Sequence, residues 1–134
     1  MNDSIVQQVW LRAGRRCEYC RMPQAHDEAP FEIDHIIAKK HGGLTRDDNL
    51  ALSCAPCNLH KGSDIASLDP ISRKLTPLFH PRRQKWLQHF RWKGATLVGL
   101  TAAGRVTISI LKINDPYRVT MRAELIRDGE FPDA

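Results

Sequence analysis

Four cysteines fall into two Cys-x-x-Cys pairs, Cys17-Glu-Tyr-Cys20 and Cys54-Ala-Pro-Cys57, separated by 33 residues. Two such pairs can close a tetrahedral all-sulfur site, and four thiolates leave no open position for water, so a zinc ion held there would be structural. A cytosolic chain keeps its thiols reduced and free for metal, with disulfides as the competing reading. A redox role is the weakest reading, because neither pair follows a strand in a βαβ pattern.

A second set of residues calls for different chemistry. Asp34 and His35 are neighbours, Asn49 follows fourteen residues on, and Asn58 and His60 lie just past the second cysteine pair. Hard oxygen donors such as the Asp34 carboxylate and the Asn58 amide suit Mg²⁺ or Mn²⁺, while thiolates suit zinc, so two ions need not compete. An imidazole with an ordinary pKa of about 6.5 can take a proton from water at neutral pH, which makes His35 a candidate base for attack on a phosphodiester. A divalent ion would offset the charge on the phosphate and the leaving oxygen. Plainer readings stand beside these: Asn49 as an ordinary helix cap, and Lys61 as either a phosphate contact or a solvated helix residue. His26, His80 and His89 have no motif support and read as surface or packing residues.

These residues need elements to position them. Asp3 or Ser4 can cap a first helix to about Ala13, with Ile5, Val6, Val9, Trp10 and Ala13 at helical spacing and Gly14 as its stop. Phe31 to Ile36 alternates as a strand with Phe31 and Ile33 inward, which sends Asp34 and His35 to opposite sides unless the strand bends. Gly42-Gly43 marks a turn, and a helix of about two turns is expected from Asn58 towards Ala66. Pro70 and Pro77 predict a linker. Pro81 to Phe90 reads as a short helix, and Phe90–Trp92 and Ala95–Gly99 as a hairpin. Thr101 can cap a helix to about Ile113, although Val106 to Ile110 would equally suit a strand. Asp115-Pro116 opens a last helix with Val119, Leu125 and Ile126 inward.

Taken in order, Cys17-x-x-Cys20, Glu32-Ile33-Asp34-His35-Ile36, Gly42-Gly43, Asn49-Leu50 and Leu52-x-Cys54-x-x-Cys57-Asn58-x-x-Lys61-Gly62 resemble the HNH endonucleases of the ββα-metal class. The resemblance covers roughly a third of the chain. It implies that the Asp-His pair lies where a strand gives way to a loop, with His35 as general base and Asp34 as a ligand of the catalytic ion. It further implies that Asn49 braces the loop and that Asn58 is the third motif residue of an H-N-N variant, with His60 as an alternative ligand.

Charge adds a partner. From Met1 to Ser67 there are 8 basic and 9 acidic residues, and from Leu68 to Ala134 there are 12 and 6. No acid occurs between Pro70 and Asn114, where nine basic residues do. Such a stretch suggests a polyanion, since each neutralised phosphate releases counterions. HNH modules grip phosphates with little base reading, so Lys61, Arg82, Arg83, Lys85 and Arg91 are candidates for a phosphate track, with Trp86 or Trp92 either stacking on a base or packing the core. The expectation is an α+β protein: residues 1–67 form a ββα-metal core with an N-terminal helix and a four-cysteine zinc brace, and residues 68–134 form a basic mixed α/β extension. It would be cytoplasmic, without a membrane span, and would cut DNA more readily than RNA. Since one site cuts one strand, double-strand cleavage would call for a homodimer.

Overall fold

The computed structural model describes residues 1–132, so the last two residues of the extension lie outside it. Helix α1 (Asp3–Arg12) is capped by Asn2 rather than by Asp3 or Ser4, the Asn2 Oδ1 accepting the Ile5 N–H at 2.9 Å. Val9 is fully buried, and Trp10 stacks on Phe31. Gly14, with φ of 63°, takes the left-handed conformation that ends the helix and sends the chain into the Cys17–Cys20 knuckle.

Strands β1 (Glu32–His35) and β2 (Leu50–Ser53) pair antiparallel, with Asp34 opposite Ala51 and His35 opposite Leu50. Helix α2 (Ala55–Lys61) starts directly after them with Cys54 as its N-cap, and it packs on β1. All four residues of β2 are buried. Its outer edge is satisfied by Glu18, whose N–H donates to the Leu52 carbonyl at 2.9 Å while its Oε2 accepts the Leu52 N–H at 2.8 Å. A side chain thus completes a two-stranded ladder that would otherwise bury unpaired backbone groups.

The expected linker is instead a hairpin, β3 (Ala66–Leu68) and β4 (Leu75–Pro77). Its turn is tied down by Asp69, which is fully buried and accepts both Nε and Nη2 of Arg105 at 2.9 Å. The prolines sit at the turn and strand end, where no ladder N–H is needed. The helix expected from Pro81 is shorter: a turn leads to α3 (Trp86–His89), then β5 (Phe90–Lys93) pairs with β6 (Thr96–Gly99). Helix α4 (Ala102–Ile110) is capped by Thr101, whose Oγ1 accepts the Gly104 N–H at 3.1 Å, and the cap decides for helix over strand.

The last helix, α5 (Pro116–Arg127), overturns the expected apolar face. Val119, Leu125 and Ile126 are only half-buried, and the residues turned fully inward are Arg118 and Arg122. Arg122 donates to the carbonyls of Ala95 and Ile113 and lies over the Trp92 ring. Arg118 reaches the cysteines. Trp86 and Trp92 are core residues: Trp86 is buried with its Nε1 donating to the Tyr19 carbonyl, and Trp92 packs between Trp86 and Phe131. Among the described residues no helix is long and apolar enough to cross a membrane.

Candidate active site and metal centre

Cys17, Cys20, Cys54 and Cys57 converge in the interior, their Sγ atoms all within 4.8 Å of one another. Tetrahedral bonds of about 2.3 Å place sulfurs about 3.8 Å apart. Cys20 Sγ and Cys54 Sγ are 3.6 Å apart, so the donors fit a zinc ion both in kind and in spacing. None of the four forms a disulfide. Burial pushes the Cys57 thiol up and the neighbouring sulfurs of Cys17 and Cys20 push Cys54 up, while hydrogen bonds from Cys17, Cys54 and Cys57 pull Cys20 down, so a cation is needed for all four to share the site as thiolates. Arg118 supplies part of that charge, with Nη2 at 3.1 Å from Cys57 Sγ and 3.8 Å from Cys54 Sγ. Burial would lower its guanidinium, but Cys57, Cys20 and Cys54 outweigh this and hold it above its ordinary value. Its Nη1 donates to the Leu111 and Lys112 carbonyls, which ties α5 and the end of α4 to the metal centre. Nothing in the sequence pattern marks Arg118, because the only local signal is an arginine among other arginines.

His35 is the last residue of β1, half-exposed, with Nε2 at 2.8 Å from Thr45 Oγ1. Burial, and then the charge of Lys39, lower its pKa below the usual histidine value, against the pull of Asp34. The loop after it is closed by Asn49, whose Oδ1 accepts the Ile37 N–H at 2.8 Å. Its Nδ2 donates to the carbonyls of Ile37 and Leu44 at 3.0 and 2.9 Å. That closure brings Gly43 against the chain: a Cβ there would lie 1.7 Å from the Ile37 carbonyl oxygen, so only glycine fits.

Asp34 points the other way, into the protein. It accepts the Tyr19 hydroxyl at 2.7 Å and pairs with the Lys61 ammonium at 3.1 Å, the two side chains 6 % and 2 % exposed. Burial raises its carboxyl, opposed by Lys61 and Tyr19. Lys61 also donates to the carbonyls of His35 and Ile36 at 3.3 and 3.0 Å. It is therefore not the phosphate contact or the solvated residue expected of it, because a carboxylate and two carbonyls inside the fold take all three of its donors. One turn earlier on the same helix, Asn58 donates to Glu32 Oε2. The pairs set side by side are thus Glu32 with Asn58 and Asp34 with Lys61. Asp34 and Asn58 as they stand do not fit a shared Mg²⁺ or Mn²⁺ ion, since an ammonium repels a dication from the carboxylate it holds. His60 is half-buried and lines a cleft of about 540 Å³ with Glu32 and Asn58, apart from Asp34.

Of the basic residues expected on the phosphate track, Arg82 is also engaged inside the fold. Its Nη2 pairs with Glu18 Oε1, and its side chain is 14 % exposed, so its charge locks the extension to the knuckle. Arg83, Lys85 and Arg91 are exposed.

A two-stranded antiparallel ribbon followed by a helix, with a histidine at the strand end, an asparagine closing the loop and a four-cysteine cluster compatible with zinc, defines a ββα domain. Residues 17–64 match the family model of the HNH endonuclease, and this part of the chain is an HNH domain. HNH nucleases act on nucleic acids, and an HNH domain suggests a nuclease-type function. No curated protein and no solved structure matches the chain.

Proposed function

We propose that this protein is an HNH endonuclease that hydrolyses phosphodiester bonds in DNA, with His35 as the general base. The observation that carries the reading is the His35–Thr45–Asn49 arrangement. Thr45 Oγ1 stands at Nε2, and with that nitrogen as the N–H donor the lone pair lies on Nδ1, directed away from Thr45. A lowered pKa keeps that lone pair free at neutral pH. Asn49 holds the loop that carries Thr45 against Ile37, so it acts as a positioning residue for the imidazole. Asp34 and Lys61 act beneath the site, the ammonium fixing the His35 and Ile36 carbonyls and thus the turn at the strand end. Residues 68–134 serve as the grip, with Arg83, Lys85 and Arg91 among their exposed cations.

A divalent ion would supply charge neutralisation at the phosphate. It carries no step in this scheme, because Asp34 is already engaged by Lys61. That same engagement favours a second reading, a zinc-stabilised module that binds nucleic acid without cutting it. Supercoiled plasmid incubated with the protein in Mg²⁺, in Mn²⁺ and in EDTA, beside His35→Ala, separates the two. Nicked or linear product that is lost in the variant, with zinc content and melting unchanged, supports the nuclease. Salt-sensitive binding without product in any condition supports the binding module.

A further inference from the structure

A second cleft, of about 260 Å³, opens between the turn after His35 and the segment that enters the basic extension. It is smaller than the ~300–1,000 Å³ of pockets for drug-sized ligands, and suits a group the size of a phosphate. Ile36 and Ile37 form one wall, Lys61 lies at its base, and His80 and Arg83 form the other; Asp64, which is exposed, is the acid on its rim. His80 has no place in the HNH motif, yet its ring is held in a defined state. Its Nδ1 accepts the N–H groups of Arg82 at 3.2 Å and Arg83 at 3.3 Å. Its backbone N–H donates to Gln84 Oε1 at 2.8 Å. An Nδ1 that accepts must leave the proton on Nε2. That Nε2–H has no hydrogen-bond partner among the described residues, and the Arg83 guanidinium has no ion pair among them. A neutral ring suits a donor of fixed direction, and burial with the charge of Arg83 lowers the pKa of His80, keeping it neutral.

We propose that this cleft binds a backbone phosphate of the substrate strand close to the one attacked by the water that His35 deprotonates, with His80 Nε2–H as the directional donor and Arg83 as the charge. The site rests on the nuclease reading for its ligand, and it makes the C-terminal extension part of the substrate channel. The turn at residues 80–84 is stapled to the core through Arg82 and Glu18, so the donor is rigidly placed relative to β1. Such pre-organisation costs little at binding.

The test uses His80→Asn and Arg83→Gln in the full chain. An asparagine Oδ1 can take over the two backbone N–H groups that Nδ1 accepts, while the Nε2 donor is removed. Affinity for a fluorescent duplex of about 20 base pairs is measured from about 50 to 200 mM salt, with inorganic phosphate as competitor to separate a free anion from a strand phosphate. The expected results are a duplex affinity about three- to tenfold weaker for His80→Asn and a salt slope lower by about one for Arg83→Gln. Zinc content and melting are expected to match wild type, and millimolar phosphate to compete poorly. An Arg83→Gln slope equal to wild type overturns the proposal whatever His80→Asn does, as does an unchanged affinity for His80→Asn; plasmid cleavage by wild type then leaves the nuclease standing. A wild type that neither binds duplex nor cuts plasmid overturns both.

Discussion

Replacing Lys61 with methionine keeps the aliphatic stem and removes the ammonium that Asp34 faces at 3.1 Å in the interior. Breaking a buried pair by removing one partner costs about 3–5 kcal/mol, because the other charge is left stranded. An independent ceiling comes from the escape open to Asp34, which is to take a proton. From an ordinary carboxyl value of about 3.9, protonation at pH 7 costs about 4 kcal/mol, and at pH 5 about 1.5 kcal/mol. The sign follows from linkage: in the variant the folded-state pKa of Asp34 stands above its unfolded value, so the destabilisation is small below about pH 4. It then grows as pH rises and levels off above the folded pKa. In wild type Lys61 opposes that rise, so the trend is weaker. Urea denaturation at pH 5 and pH 7 reads the difference directly, and at pH 7 the melting temperature should fall by about 10–15 °C. The double variant Asp34→Asn with Lys61→Met should recover most of the loss. A loss under about 1 kcal/mol that is equal at the two pH values would refute the reasoning, since it would mean that Lys61 lies in solvent and that Asp34 is free for a ligand.

Three further outcomes are expected. The purified protein should hold one zinc, and its removal with a thiol-modifying mercurial, read with a zinc dye, should unfold α5 as well as the knuckle; Arg118→Met should release zinc faster at equal protein concentration. Asn49→Asp keeps the acceptor for the Ile37 N–H but turns a carboxylate oxygen onto the carbonyls of Ile37 and Leu44, so it should cost about 2–3 kcal/mol in denaturant titrations and reduce cleavage. Cleavage should stay near its plateau as pH drops from about 7.5 to 6.5 and decline only below the ordinary histidine value, because His35 is shifted down; a decline centred above about pH 7 would assign the base elsewhere.

The cysteine pairs, the Asp-His pair and the loop asparagine are legible because each depends on residue type and short spacing, and metal ligation or loop closure tolerates few alternatives. The same holds for the α4 cap at Thr101 and the proline that opens α5, which are local rules. What was not legible depends on charges that meet across long sequence distances. Lys61 reads as a surface residue until Asp34, Tyr19 and two carbonyls surround it. Asp69 reads as part of a linker until Arg105 reaches it, and Arg82 as a phosphate contact until Glu18 does. Arg118 and Arg122 break the apolar pattern of α5 for the same reason: thiolates and carbonyl oxygens lie where a helix ordinarily meets hydrocarbon. Residue type and spacing along the chain were enough to pick out the four cysteines that converge on one metal-binding cluster and the histidine that ends β1. Which basic side chains are spent inside the fold, and which remain for a substrate, followed from tertiary packing alone, because a buried charge is stable only beside the partner that folding brings to it.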